Sequence, residues 1–208
     1  MIIEDTTGVL LAGGRSRRMG TDKRFLDVGE KTLLERALDV FEQLFSEILV
    51  VVAEPTPELA AVPHRVLVDV IPGCGSLGGL YTGLSGATRD RIFSAACDMP
   101  FLNAAVISHL IALSSGSDIV MPKLATGLQP MHAVYAKTCL PHIRRMIDAG
   151  QFTIQDVTRH EGLKIRLVPE DDLRRIDPRL LSFLNLNTPA DLEFARKLAA
   201  QHRAPTGP

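Results

Sequence analysis

"LLAGGRSRRMGTDKR" runs from Leu10 to Arg24. An apolar run stops at Gly13 and Gly14, and Arg15, Arg17, Arg18 and Lys23 follow on one short loop. Glycines at the end of a strand let the backbone come close to a ligand. Successive amides in such a loop form an anion-binding concavity. Arginine adds a planar fork for phosphate oxygens and lysine a point charge. The spacing fits neither G-x-x-x-x-G-K-[ST] nor G-x-G-x-x-G, which excludes a P-loop and the dinucleotide fingerprint.

Outward from this turn, short apolar runs bounded by turn signals recur at 8–12, 47–53, 65–70, 91–97, 118–122, 131–135, 163–168 and 183–187. The first four are β-rich and too short for helices. They lack polar alternation, the mark of strands buried on both faces of a parallel sheet. Amphipathic stretches lie between them. In "TLLERALDVFEQLF", Leu34, Leu38, Phe41 and Phe45 make one apolar face, and Thr32 with Glu35 forms a capping-box pattern. "LNAAVISHLIAL" repeats the period, and "NTPADLEFARKLAAQ" opens with Thr188 as cap, Pro189 at the first helical position and Asp191 beyond it. Strand alternating with helix predicts right-handed crossovers. The expectation is one three-layer α/β/α domain over 1–200, with a mostly parallel, mixed sheet, an antiparallel excursion within 118–187 and a frayed tail at 201–208.

The chain has 208 residues, 46% of them apolar, so a sizeable core needs no staples. A net charge of −1 supplies no general field for nucleic acid, and the lack of Trp argues against base-stacking platforms. Cys74, Cys97 and Cys139 are far apart and fit reduced thiols. The N-terminus has no signal-peptide pattern, and no apolar run approaches the roughly 20 residues of a membrane span. A cytoplasmic protein with no nucleic-acid or membrane partner is expected.

"FSAACDMPFL" sets Asp98 at the carboxyl end of a buried strand, a position suited to a metal. Mg²⁺ is usually held by one or two carboxylates plus substrate phosphates. Capping a helix is the other role open to Asp98. "LVDVIPGCGSLGGLYTGL" places Asp69 at the end of another strand, before a glycine-rich loop, where a turn-forming role is also open. In "FLNLNTPADL", Asn185 and Asn187 alternate with leucines, which predicts both amides on one side of a strand. A turn role before the Thr188 cap stays open for Asn187. "GLQPMHAVY" carries His132, for which a structural role stays open.

"LAGGRSRRMGTDK" resembles the signature L-A-[GA]-G-x-[SA]-x-R-M-G-x-x-K of nucleotidyltransferases with the glycosyltransferase-A-like fold. Within that group the chain is most similar to the molybdenum cofactor guanylyltransferases of the MobA type. The resemblance implies a Rossmann-like nucleotidyltransferase fold. It also implies Mg²⁺-dependent transfer of GMP from GTP to the terminal phosphate of molybdopterin, with release of pyrophosphate. By the same resemblance Leu11, Ala12, Gly13, Gly14, Lys23, Asp69 and Asp98 meet the nucleotide, with backbone groups of the first three reading the purine edge. Arg15, Arg18, Lys23 and Asp98 are the implied catalytic groups, Asp98 the implied metal ligand, and Asn185, Asn187 and His132 the implied pterin side. Molybdoenzymes or cofactor-handling proteins are the implied protein partners.

Two departures stand out. The family's G-P-L-x-G reads Gly75-Ser76-Leu77-Gly78-Gly79 here, and an asparagine that some members carry after the strand "VVV" is replaced by Ala53-Glu54-Pro55. The second removes a guanosine contact. CTP on the same pterin, a sugar-phosphate acceptor and a non-catalytic nucleotide-binding role therefore stay open. Gly13 stands where related cytidylyltransferases usually carry alanine, which favours guanine.

Overall fold

The computed structural model describes residues 2–13 and 22–201. Its main strands are β1 (Thr6–Leu11), β4 (Ile48–Val52), β5 (Arg65–Val68), β6 (Arg91–Ala96), β7 (Ile119–Leu124), β9 (His132–Ala136) and β10 (Ile165–Pro169), with two-residue strands β2 (Asp27–Val28), β3 (Lys31–Thr32) and β8 (Gly127–Leu128). The helices are α1 (Leu33–Glu42), α2 (Gly75–Gly86), α3 (Ala104–Ala112), α4 (Leu140–Asp148), α5 (Glu170–Arg174) and α6 (Pro189–Gln201).

One sheet runs in the order β10-β7-β9-β6-β1-β4-β5, with β8 paired to β7 and a separate β2–β3 hairpin. β1 pairs in parallel with both β4 and β6, and β4 with β5. β9 lies antiparallel between β6 and β7, the excursion expected within 118–187. Burial explains the parallel centre. Every residue of β1 and β4 is buried, and neighbours along a strand face opposite layers. Leu10, Val50 and Phe93 pack in one core with α1, α3 and α6, while Val9, Leu11, Val51 and Ile92 pack in the other with α2 and α4.

Local signals account for several elements. Thr32 and Glu35 close both bonds of the capping box at α1. At α6, Thr188 Oγ1 accepts from Asp191 N at 3.2 Å and Asp191 Oδ2 accepts from Thr188 N at 2.7 Å. Gly8 is required by close approach: a Cβ there would lie 2.6 Å from Cδ2 of Phe45, in the Phe41–Phe45–Phe93 ring cluster.

Two expectations are corrected. The glycine-rich stretch after Asp69, read as a loop, forms α2 from Gly75 onward. Its glycines disfavour a helix in isolation. They let this one lie directly on the sheet, where a Cβ on Gly83 would come within 2.5 Å of Val9 Cγ1. The segment 183–187 is not a strand: Leu181–Phe183 is a single helical turn and Leu184–Asn187 is irregular. Its backbone bonds go elsewhere, as Leu186 N donates to Asp98 O at 3.0 Å and Leu186 O accepts from Lys23 Nζ at 2.7 Å. The alternation that set Asn185 and Asn187 on one strand face therefore does not apply.

All three cysteines are buried and free. No helix among the described residues is long and apolar enough to cross a membrane. Of the tail expected to fray, 202–208 lie outside the described residues, and Gln201 closes α6.

Candidate active site

In an open α/β sheet, ligands sit beyond the carboxyl ends of the strands where the strand order reverses. Here that point flanks β1, with β4 on one side and β6 on the other. Gly13 follows β1, Asp69 follows β5 and Asp98 follows β6, so all three emerge at one edge.

Asp98 sits on a turn held from three directions. Cys97 N donates to Leu11 O at 3.0 Å, Ala96 N to Met131 O at 3.0 Å, and Asp98 O accepts from Leu186 N at 3.0 Å. The side chain is half-buried, and its Oδ1 is sealed from solvent with no hydrogen-bond partner among the described residues. Burial pushes the carboxyl above its usual range, against the opposing pull of Lys23. A helix cap is not its role, because Asn103 Oδ1 caps α3 by accepting from Ala105 N at 2.9 Å.

Lys23 opens a one-turn helix, Lys23–Phe25, capped by the Asp22 side chain. Arg24 places its guanidinium on both oxygens of Asp22, with Nε at 2.9 Å from each. Burial raises the Asp22 carboxyl, but the Arg24 hydrogen bonds outweigh it and hold the group below its ordinary value. Gly13, Asp22, Lys23, Arg24 and Asp98 line one cavity, floored by Ala96 and Cys97.

A second cavity adjoins it, and Leu11, Gly13 and Met131 line both. Asp69, Ala53, Glu54 and the α2 start at Gly75 and Ser76 form its walls. Asp69 Oδ1 accepts from Thr82 Oγ1 at 2.7 Å, and Asp69 N donates to Val52 O at 2.8 Å, which fixes the carboxylate against α2. Burial raises its pKa, partly offset by Thr82. The site thus offers cations, Lys23 and Arg24, beside the carboxylates of Asp22 and Asp98 in one compartment, and a mostly apolar slot edged by the carboxylates of Glu54 and Asp69 in the other.

Gly13, Lys23 and Asp98 come together in the first cavity, and Asp69 stands across Gly13 in the second. Leu11 and Ala12 are buried, and two of their backbone groups are taken up by the sheet, since Ala12 N donates to Val51 O and Leu11 O accepts from Cys97 N. Gly14, Arg15 and Arg18 lie outside the described residues, as does Arg17. Asn185 Nδ2 donates to Phe183 O at 3.3 Å, and Asn187 is exposed with its N–H on Asp191. Both flank Leu186, beside Lys23 and Asp98. His132 does not line a cleft. It is 0% exposed, edge-on to Phe93 at 5.1 Å and 4.7 Å from Phe183, because the alternation along β9 turns it into the core. Asp22, Arg24 and Met131 were missed as cavity residues. The first two stand inside the opening motif, and Met131 directly precedes His132.

Comparison with known proteins agrees with this fold. The family model described as a MobA-like NTP transferase domain matches residues 8–164. A molybdenum cofactor guanylyltransferase of Desulfosudis oleivorans is 36% identical over 196 residues, 93% of this chain and 95% of the relative. The crystal structure of molybdopterin-guanine dinucleotide biosynthesis protein A from Archaeoglobus fulgidus superposes with a TM-score of 0.83 at 28% identity, covering 94% of this chain and all of that one. A Mycobacterium tuberculosis protein solved in complex with manganese shares the fold, with a TM-score of 0.62 at 22% identity over 84% of this chain and 99% of its own.

Proposed function

The chain belongs to the MobA-like NTP transferase family, and from that premise we propose that it transfers GMP from GTP to the terminal phosphate of molybdopterin, forming molybdopterin guanine dinucleotide and releasing pyrophosphate. It is a nucleotidyltransferase, and the name of its Desulfosudis relative gives the guanylyl specificity. On this reading residues 1–200 act as one nucleotidyltransferase domain.

The observation that carries the site assignment is the unpartnered, sealed Oδ1 of Asp98 beside Lys23, next to the glycine turn that ends β1. Left alone, a buried oxygen of this kind is costly. Its donor chemistry fits a hard divalent ion, and one protein carboxylate suffices when substrate phosphates complete the shell. Asp98 would hold Mg²⁺, which when bound supplies positive charge to the triphosphate and the leaving pyrophosphate. Lys23 meets a phosphate oxygen in the same cavity, and Arg15 and Arg18, from the same motif, supply further positive charge to the triphosphate. Gly13 lets the triphosphate approach the end of β1. The nucleoside lies in the second cavity, with Asp69 at its rim. Asn185 and Asn187 present the acceptor side from the segment that Lys23 and Asp98 anchor. An acceptor phosphate oxygen forms the new bond to the α-phosphorus, and the bond from that phosphorus to the β-bridging oxygen breaks. No covalent bond to the protein forms, so the protein's contribution is positioning and electrostatics.

Ala53 and Glu54 line the second cavity where some members carry asparagine, so the base must be tested directly. Purified protein with molybdopterin and Mg²⁺ is supplied with GTP or CTP, and pyrophosphate release and product mass are measured. The expected product is the guanine dinucleotide. A product with CTP alone would replace guanylyl by cytidylyl transfer. Nucleotide binding with no pyrophosphate from either would favour a non-catalytic role.

A further inference from the structure

Arg36 lies on α1, outside both cavities of the site. Its Nε donates to Pro100 O at 2.9 Å, and its Nη1 donates to Val28 O at 3.1 Å. Its guanidinium also lies over the Phe101 ring, 5.3 Å from the centroid. Among the described residues it makes no ion pair, although Asp39 and Glu35 share its helix. A half-buried arginine that leaves carboxylates aside and gives its fork to two backbone carbonyls is a spacer between the segments that own them.

Those segments are the two halves of the site. Pro100 ends the turn that carries Asp98, and Val28 closes the segment that starts at Lys23 and passes through Phe25 and β2. The Asp98 turn is fixed toward β1 by Cys97 N and toward the C-terminal limb by Asp98 O. Arg36 holds the chain at Pro100, two residues beyond Asp98, from α1. A planar guanidinium keeps the angle between its two acceptors fixed, which a lysine ammonium does not. We infer that Arg36 is a positioning residue: it sets the separation of Lys23 from Asp98, and thereby the aim of the unpartnered Asp98 oxygen toward a divalent cation.

This inference rests on the reading of Asp98 as the metal ligand, and the test separates the two. Mn²⁺ binding in the presence of GTP is followed by the electron paramagnetic resonance signal of free Mn²⁺. The Mg²⁺ dependence of pyrophosphate release is recorded alongside, for wild type, Asp98→Asn, Arg36→Met and Arg36→Lys. Arg36→Met keeps the aliphatic stem and removes the fork. It is expected to weaken Mn²⁺ binding and raise the half-saturating Mg²⁺ concentration about tenfold, the scale on which groups orienting a metal ligand act. Arg36→Lys is expected to recover part of that loss. If Asp98→Asn weakens Mn²⁺ binding but Arg36→Met binds like wild type, the positioning role is overturned and the Asp98 assignment stands. If Asp98→Asn binds Mn²⁺ like wild type, the assignment fails and the inference falls with it. Should Arg36→Met not fold, Arg36→Lys carries the test, because an ammonium does not hold both carbonyls at the fixed angle of the guanidinium. A measurable weakening of Mn²⁺ binding in that variant is expected, and none would overturn the role.

Discussion

Lys23 Nζ donates to the carbonyl of Leu186 at 2.7 Å, across 163 residues of chain. The N–H of that same residue donates to Asp98 O at 3.0 Å. One residue of the C-terminal limb therefore bridges the ammonium and the carboxylate-bearing turn. An ammonium has three donors, so Lys23 can keep Leu186 and still meet a phosphate oxygen. The bridge fixes both groups on one floor and orders the limb that carries Asn185 and Asn187.

Removing the ammonium tests both consequences. Lys23→Ala is expected to lower kcat/KM for guanylyl transfer by roughly 10²–10³-fold, the scale of losing one preorganised charge-stabilising donor. It also deletes a charge-assisted hydrogen bond of about 1.5–3 kcal/mol, so amide exchange over 183–187 should quicken. Exchange at wild-type rates in that segment would show that Lys23 does not hold it.

Asp98 gives a prediction in pH. Burial raises its folded pKa, which disfavours the charged form in the native state. The ligand-free protein therefore carries a penalty at neutral pH that is lifted as pH falls through the folded value. Asp98→Asn should melt at a higher temperature than wild type at pH 7 without metal or nucleotide, and the gap should shrink on acidification. A ligand-free Asp98→Asn protein less stable than wild type at pH 7 would contradict the buried, uncompensated charge.

His132 has the opposite dependence. Burial holds its pKa down at about 3, from a usual 6.5, and both ring nitrogens lack a partner among the described residues. Between those values the unfolded chain binds a proton that the folded chain does not, so the contribution is a loss of stability as pH falls from about 6.5 toward 3. His132→Phe should flatten that part of the stability profile measured by urea unfolding. An unchanged slope would mean that other groups govern it.

The glycines of α2 separate two kinds of crowding. A Cβ at Gly83 would sit 2.5 Å from Cγ1 of Val9, and one at Gly86 would sit 2.4 Å from Cδ1 of Leu67. Val9 is β-branched, stiff and 0% exposed in the central strand, whereas Leu67 lies on the edge strand and its tip can turn away. Gly83→Ala should cost about 1–3 kcal/mol from overpacking. Gly86→Ala should be near neutral or mildly stabilising, because alanine favours a helix by about 1 kcal/mol over glycine. Thermal melts of the two variants decide it, and equal losses would overturn the distinction.

These contrasts show where residue patterns inform and where they stop. β1, β4 and β6 were legible because burial on both faces leaves unbroken apolar runs, and α1 because Thr32 and Glu35 state its start; β5 is a strand as expected, but as the sheet's edge it is part-exposed and not buried on both faces. α2 was not, since its glycines oppose a helix locally and are justified only by the sheet beneath them. The run at 183–187 carries strand-like alternation, yet Lys23 and Asp98 take the backbone bonds of Leu186 that a neighbouring strand would need. At the site, Gly13, Lys23, Asp69 and Asp98 stand in motifs with a chemical reason for their residue types. Arg36 and Leu186 do not, because their roles come from backbone groups brought close only by folding. For His132 the structural role left open in the sequence is the one its 0% exposure fits, while Met131, one residue earlier, lines the cavities.

The central claim is that the triphosphate of GTP lies between Lys23 and Asp98 with a divalent cation on the Asp98 carboxylate. A crystal of the protein with GTP and Mn²⁺, without acceptor, measured at the manganese absorption edge, tests it most directly. The account predicts an anomalous peak in coordinating contact with Asp98 Oδ1 and a phosphate oxygen within hydrogen-bonding reach of Lys23 Nζ. Manganese and triphosphate bound elsewhere, with Asp98 Oδ1 still without a partner, would contradict it.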